Sequence, residues 1–208
     1  LKRDVSDRGI IELLRKLYCA HVMQVDDAVR EFFHIMEKHD VLKNSLVILT
    51  TDHGDEFGEH GGLSHDGKMY SELVHIPLIV YEPDRTSGEV CGALASTIDV
   101  SPTIVHLFGL EPVAAFQGHS LFPLEMYPVK GVFGEAVDKH GSHEKGEEKE
   151  VHYYREGDLK IIYRERDDHW EFYDLKSDPG ELHNVVDASP VAEAMKAKIR
   201  PRVRRRRE

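Results

Sequence analysis

Between Ile10 and Met36 the apolar residues recur in steps of three and four: Ile10, Leu13, Leu14, Leu17, Val22, Val25, Val29, Phe32, Phe33 and Met36. Such steps keep side chains on one helical stripe, so they predict one long helix, or two in series. Ser6 and Asp7 are the candidate N-caps. Asp26 and Asp27 fall on this helix; a carboxylate pair can do acid–base work, but a solvated or capping role explains them with less. After the polar end Lys38-His39-Asp40 the pattern changes. Leu46-Val47-Ile48-Leu49 is short, apolar and β-branched, the signature of a buried parallel strand. Ile76-Pro77-Leu78-Ile79-Val80 is a second candidate of the same kind.

Tyr81 to Gly92 reads as a loop, with Pro83, Gly88 and Gly92 as breakers. A helix follows, capped by Ser101, with Pro102 in its first turn and Ile104, Val105, Leu107 and Phe108 as its apolar content; Gly109 ends it. Gln117 to Leu121 forms a turn and a short hydrophobic anchor. From Val132 the texture differs. Lys139 to Glu150 is polar and lacks large apolar residues, so it is a loop. Val151 to Tyr154, Leu159 to Arg164 and Glu171 to Leu175 are short aromatic and aliphatic runs, the first two joined by the turn Glu156-Gly157-Asp158. They predict an antiparallel meander. Lys176 to Gly180 is a turn, and Ala188 to Ile199 a last helix.

Composition adds constraints. At 208 residues and 23.8 kDa, 40% hydrophobic and 31% charged, the chain suits a soluble globular domain with an appendage. No apolar run approaches the roughly 18 residues of a membrane helix. The chain opens LKRDVSDRG, without initiator Met or signal peptide, as expected of a mature product or a piece of something longer. Compartment is left open. Net charge is −11, but Lys196 to Glu208 holds eight basic residues and one acidic. The remaining body carries 19 basic against 37 acidic residues, or −18, which disfavours nucleic acid as the main partner. The basic tail reads as a solvated or disordered end. Cys19 and Cys91 are too few for a disulfide framework, and Cys19, on the first helix, reads as a small buried side chain.

The chemistry concentrates after the first strand. Asp52 and His53 offer one hard oxygen and one imidazole nitrogen at a strand's carboxyl end, where ligands bind in open α/β sheets. Oxygen ligands suit calcium, magnesium and manganese, and an added imidazole admits manganese or zinc. Glycines at 54, 58, 61, 62 and 67 let the backbone turn tightly. His60 and His65 can donate to an anion, and Lys68 adds a full positive charge. A polar loop with incidental histidines is the plainer reading. Four histidines in 23 residues (His53, His60, His65, His75) weigh against it.

TTDHGDEFGEHGG followed by MYSELVHIPLIVYEP resembles the metal-binding segment of the sulfatases, in the alkaline-phosphatase-like superfamily. The likeness continues in order on both sides. Tyr18 to Val29 resembles the preceding helix, Ser96 to Leu121 the following helix and G-x-S-L turn. Leu159 to Tyr163, Phe172 to Leu175 and Ser177-Asp178-Pro179-Gly180-Glu181 resemble the family's C-terminal sheet. Together these span roughly residues 10 to 190.

The resemblance implies an α/β fold: the C-terminal part of an alkaline-phosphatase-like three-layer sandwich in 1–127, an antiparallel subdomain with a helix in 128–195, and a basic tail in 196–208. It implies a metal-dependent sulfuric ester hydrolase with Asp52 and His53 as ligands of one divalent ion, calcium first, with manganese, magnesium or zinc as alternatives. A family lysine that contacts sulfate aligns with His65, making His65 the anion contact and Lys68, three residues later, the alternative. A His there would act best when protonated. Many sulfatases carry Asn where this chain has His53; His is found in phosphonate and phosphate ester relatives, which keeps that activity as an alternative. The family's formylglycine motif, C/S-x-P-S-R, and its early Asp pair do not occur in this sequence. The chain is therefore expected to be half of an active site, inactive alone, with a non-catalytic interaction domain as the third reading. Its substrate would be a sulfate-ester small molecule or glycan. An exposed sheet edge is expected to favour self-association.

Overall fold

The computed structural model describes residues 7–65, 67–83, 85, 87–111, 113–123, 127, 131–138 and 149–205. The chain divides into two compact units. One comprises Leu1–Asp66 with Glu72–Val90, the other Gly67–Ser71 with Cys91–Glu208.

In the first unit, helix α1 runs unbroken over Arg8–Lys38. Asp7 caps it, its side chain accepting from the amides of Gly9 at 2.8 Å and Ile10 at 3.2 Å. Asp40, in the left-handed region at φ 59°, turns the chain away beyond the helix. Ile11, Leu14, Val29, Phe33 and Met36 form a half-buried stripe. Phe33 meets Tyr81 edge to face at 5.3 Å between centroids, and Tyr18 meets Phe57 at 5.2 Å. No α1 residue is fully buried, and Cys19 is exposed, contrary to its expected burial. The reason is geometric: α1 rests on small two-stranded ribbons, which cover one stripe and leave Cys19 outside it. Asp26 and Asp27 are exposed and pair with Arg30, as the plainer reading had it.

Strands β1 (Val47–Thr50) and β4 (Leu78–Tyr81) pair antiparallel, with Val47 opposite Tyr81 and Thr50 opposite Leu78. This corrects the parallel reading. Parallel neighbours need a crossover, normally a full helix. Among the described residues, the segment between them holds only the ribbon β2 (Glu56–Phe57) with β3 (Leu63–Ser64) and the four-residue helix α2 (Ser71–Val74). Pro77, without an N–H, precedes β4, and its carbonyl accepts from Thr50 Oγ1 at 2.8 Å.

In the second unit, a 3-10 turn over Thr97–Asp99 leads into α3 (Val100–Leu107). The cap is Ser96, in a reciprocal box with Asp99, and not Ser101, which already lies inside α3. Gly109, at φ 62°, closes the helix as expected. Asp99 is buried and accepts from the Ser96 and His119 amides, both at 2.8 Å, and from Tyr127 Oη at 2.6 Å.

The meander has four strands, not three: β5 (Gly131–Asp138), β6 (Lys149–Glu156), β7 (Leu159–Arg164) and β8 (His169–Asp174), antiparallel in that order. Of the predicted polar loop, 139–148 lies outside the described residues, while Lys149 and Glu150 belong to β6. Helix α4 covers Ala192–Arg205, starting later and running further than the sequence predicts. It packs Ala192, Met195 and Ile199 onto Tyr154, Ile161, Tyr163 and Phe172. The basic tail is thus helical through Arg205. The Lys196 ammonium lies over Trp170 at 5.7 Å from the ring centroid, that of Lys198 over Tyr154 at 5.6 Å, and the Arg202 guanidinium over Phe133 at 3.9 Å, so the charged groups themselves meet aromatic faces.

Candidate metal and anion site

β1 delivers Asp52 and His53 directly past its end. Asp52 is 84% exposed, and its Oδ1 accepts from the His53 amide at 3.0 Å and from Thr51 Oγ1 at 3.2 Å. Backbone N–H donation, from its own amide and then from that of His53, holds the carboxyl below the usual aspartate range; the His53 imidazole adds to this. His53 Nδ1 lies 3.0 Å from the Gly54 carbonyl. A carbonyl only accepts, so Nδ1 carries the proton and Nε2 keeps its lone pair, the tautomer a metal requires. That Nε2 is 3.7 Å from Asp52 Oδ2. Two donors this close, both open to solvent, fit a shared divalent ion.

The structure adds two neighbours. The imidazole rings of His53 and His65 lie 4.1 Å apart between centroids, 31° from parallel. His65 Nδ1 is 3.3 Å from Asp55 Oδ1 and 3.1 Å from Ser64 Oγ. His53, Asp55 and His65 therefore offer ligand atoms all within 4.8 Å of one another. The predicted anion contact and one predicted metal ligand share a site. Asp55 was missed by sequence reasoning; the only signal was a second acid three residues after Asp52, which period alone could not aim. Ser64 reaches the site from a left-handed conformation, φ 79°.

Glu56 and His60, in the same stretch, turn inward. Glu56 is buried, and its Oε1 accepts from the His60 amide at 2.8 Å and the Gly62 amide at 2.7 Å. His60 Nδ1 lies 2.6 Å from Glu72 Oε1, with the imidazole only 10% exposed. His60, read from sequence as an anion donor, is committed to this brace. Glu59 receives the Phe57 amide and the Arg15 guanidinium, the latter at 2.6 Å. Gly58 and Gly61, at φ 88° and 77°, supply the left-handed positions that the tight β2–β3 connection requires. His75 is exposed on the chain leading to β4. Lys68 belongs to the Gly67–Ser71 segment of the second unit and is half-buried there.

The sulfatase family model matches residues 6–110, which covers α1, the Asp52–His65 loop and α3. The chain belongs to the sulfatase family. It is 31% identical over 185 residues to an N-acetylglucosamine-6-O-sulfatase of Bacteroides thetaiotaomicron, covering 86% of this chain and 33% of that protein. A solved structure described as a complex with its substrate, D-glucosamine-2-N,6-O-disulfate, matches at 30% identity and TM-score 0.72, over 85% of this chain and 37% of the other. The phosphonate monoester hydrolase of Agrobacterium radiobacter matches at TM-score 0.78 over 94% of this chain and 42% of the other; at 22% identity it speaks for the fold alone. The chain spans about a third of the length of the curated relatives it matches. The fold is that of a partial alkaline-phosphatase-like α/β domain with an antiparallel sheet and helix. Among the described residues of this sulfatase chain, no helix is long and apolar enough to cross a membrane.

Proposed function

We propose that this chain is part of a metal-dependent sulfuric ester hydrolase, contributing Asp52 and His53 to the metal and His65 to the sulfate group. The observation that carries this reading is the close approach of the His53 and His65 rings beside Asp52 in a sulfatase-family chain. Asp52 stays ionised and solvent-facing, and His53 presents Nε2, so the two can hold a divalent cation between them. Calcium is the proposed ion, with manganese, magnesium and zinc ranked by titration. When bound, it supplies positive charge against the negative charge that develops on the reacting oxygens. His65 keeps Nδ1 on Asp55 and Ser64, which leaves Nε2 to donate to a sulfate oxygen when the ring is protonated. Lys68 is the alternative anion contact.

The nucleophile is proposed to be a formylglycine outside these 208 residues, since C/S-x-P-S-R does not occur in them. The chain alone is then inactive. Sulfated amino sugars are the proposed substrate class, on the names of the relatives at 31% and 30% identity. The test is to assay the complete polypeptide carrying this segment on matched aryl sulfate and aryl phosphonate monoester, with calcium present. Preferential sulfate ester hydrolysis supports the reading; preferential phosphonate hydrolysis replaces it with the second reading, which His53 favours because many sulfatases carry Asn there. Inactivity on both, together with no calorimetric metal binding, would leave an interaction domain.

A further inference from the structure

The motif Ser177-Asp178-Pro179-Gly180-Glu181 has no part in the site so far described, yet it carries one of the most buried carboxylates among the described residues. Glu181 is 2% exposed and Lys160 is 0% exposed; Lys160 Nζ lies 2.7 Å from Glu181 Oε1. Two ions without water cost several kcal/mol each, and their attraction rarely repays more than that cost, so such a pair is weak evidence of stabilisation for its own sake. Glu181 also sits at φ 52°, an uncommon conformation for a residue with a side chain. Local hydrogen bonds enforce it. Asp178 accepts from the amides of Leu182 at 3.1 Å and His183 at 2.8 Å, and its carbonyl from the Glu181 amide at 3.1 Å. The turn is built to aim one carboxylate inward.

What it meets is a piece of distant chain. Glu181 Oε2 accepts the Ser71 amide at 2.6 Å, and Lys160 Nζ donates to Ser71 Oγ at 3.4 Å. One residue earlier, Tyr70 Oη donates to Glu171 Oε2 at 2.8 Å, and Tyr173 Oη donates to the same oxygen at 2.9 Å. Arg164 compensates Glu171 from the other side at 3.0 Å. Met69 and Tyr70 are buried. Gly67–Ser71 follows His65 by one residue, contains Lys68, and packs as part of the unit formed by the C-terminal sheet.

We propose that Lys160 and Glu181 are positioning residues: acting through Ser71, they fix the segment Gly67–Ser71 that leaves the anion-binding loop and carries Lys68. The consequence for turnover rests on the sulfatase reading; the anchoring itself does not. The C-terminal sheet is then a jig for an active-site strand of chain, and its buried ion pair is retained for placement.

Two double variants test this in the 208-residue chain, and then in the complete polypeptide. Lys160→Met/Glu181→Leu removes both charges and the acceptor for Ser71, and apolar replacement of a whole buried pair is commonly neutral for folding. Lys160→Met/Glu181→Gln also removes both charges but keeps a carbonyl oxygen for the Ser71 amide. Hydrogen exchange at Ser71 should accelerate about tenfold or more in the first variant, with β6–β8 amides unchanged, and stay near wild type in the second. In the complete polypeptide, kcat/KM on an aryl sulfate should fall in the first variant and recover in the second. Unchanged Ser71 exchange, uniform acceleration across the sheet, or faster Ser71 exchange with unaltered kcat/KM would each overturn the proposal. A wild-type polypeptide with no turnover of sulfate esters would instead sink the sulfatase reading, and Ser71 exchange alone would then decide whether the pair places the segment.

Discussion

His53 and His65 stand ring against ring, 4.1 Å between centroids, although twelve residues separate them. Their Nδ1 atoms are tied down in different ways, His53 to a backbone carbonyl and His65 to Asp55 and Ser64. In the proposed reading, one imidazole serves as a metal ligand and its neighbour as an anion contact. The β2–β3 ribbon, braced from within by Glu56, brings them together.

Replacing Asp52 by Asn should weaken calcium binding by roughly tenfold or more, measured by calorimetry, because the site loses a full negative charge next to His53 and keeps only that of Asp55 among the described residues nearby. The pH dependence follows from the lowered Asp52 pKa. A depressed carboxyl contributes above its unfolded value of about 3.9 and loses its contribution only as pH falls through the lower folded value. Wild-type affinity should therefore not fall through Asp52 protonation until pH is below about 4. A carboxylate titration near pH 5 that disappears in Asp52→Asn would contradict this.

Gly54→Ala should be poorly tolerated. The Gly54 amide donates to the Leu73 carbonyl at 2.9 Å, and a Cβ at position 54 would run into the Glu72 carbonyl oxygen, which is backbone and cannot swing aside. Urea denaturation should report a loss of about 1–3 kcal/mol, as for other overpacking substitutions. Wild-type stability for this variant would mean the loop and α2 are not in contact.

Alkaline pH should destabilise the second unit. Desolvation first, then the charge of Glu171, pushes the phenols of Tyr70 and Tyr173 well above the usual range. A raised pKa contributes stability that is intact below the unfolded value of about 10 and is lost as pH climbs through the folded value. Stability should hold from pH 8 to about 10 and fall above about pH 10, and Tyr70→Phe should flatten that slope. An unchanged slope in the variant would remove Tyr70 as its source.

Helix α4 should prove structural. Ile199 is 0% exposed in the core cluster, so Ile199→Ala should cost about 2–5 kcal/mol in chemical denaturation. Arg200→Gln removes an exposed pair with Glu193 and should change stability by about 1 kcal/mol or less. Equal effects for the two would show that α4 is not docked on the sheet.

Several elements were legible in the residues alone because neighbours in the chain make them. Asp7 caps α1 through amides two and three residues on, and the stripe to Met36 needs only helical period. The Asp52-His53-Gly54 strand end, the 151–175 strands and the Gly109 stop are local in the same sense, and ordered motifs supplied the family. Other features had no local cause. Whether β1 and β4 run parallel depends on how the chain between them returns. Asp55 beside His65, Glu56 under the His60 and Gly62 amides, and Cys19 left uncovered depend on what packs above each. So do β5 as a fourth strand and the docking of the basic tail. The sequence by itself determined which residues could do chemistry and in what order they come. Only the tertiary structure decided which of them meet: a hydrogen bond from Ser71 to Glu181 spans 110 residues, and no periodicity encodes a partner that far away.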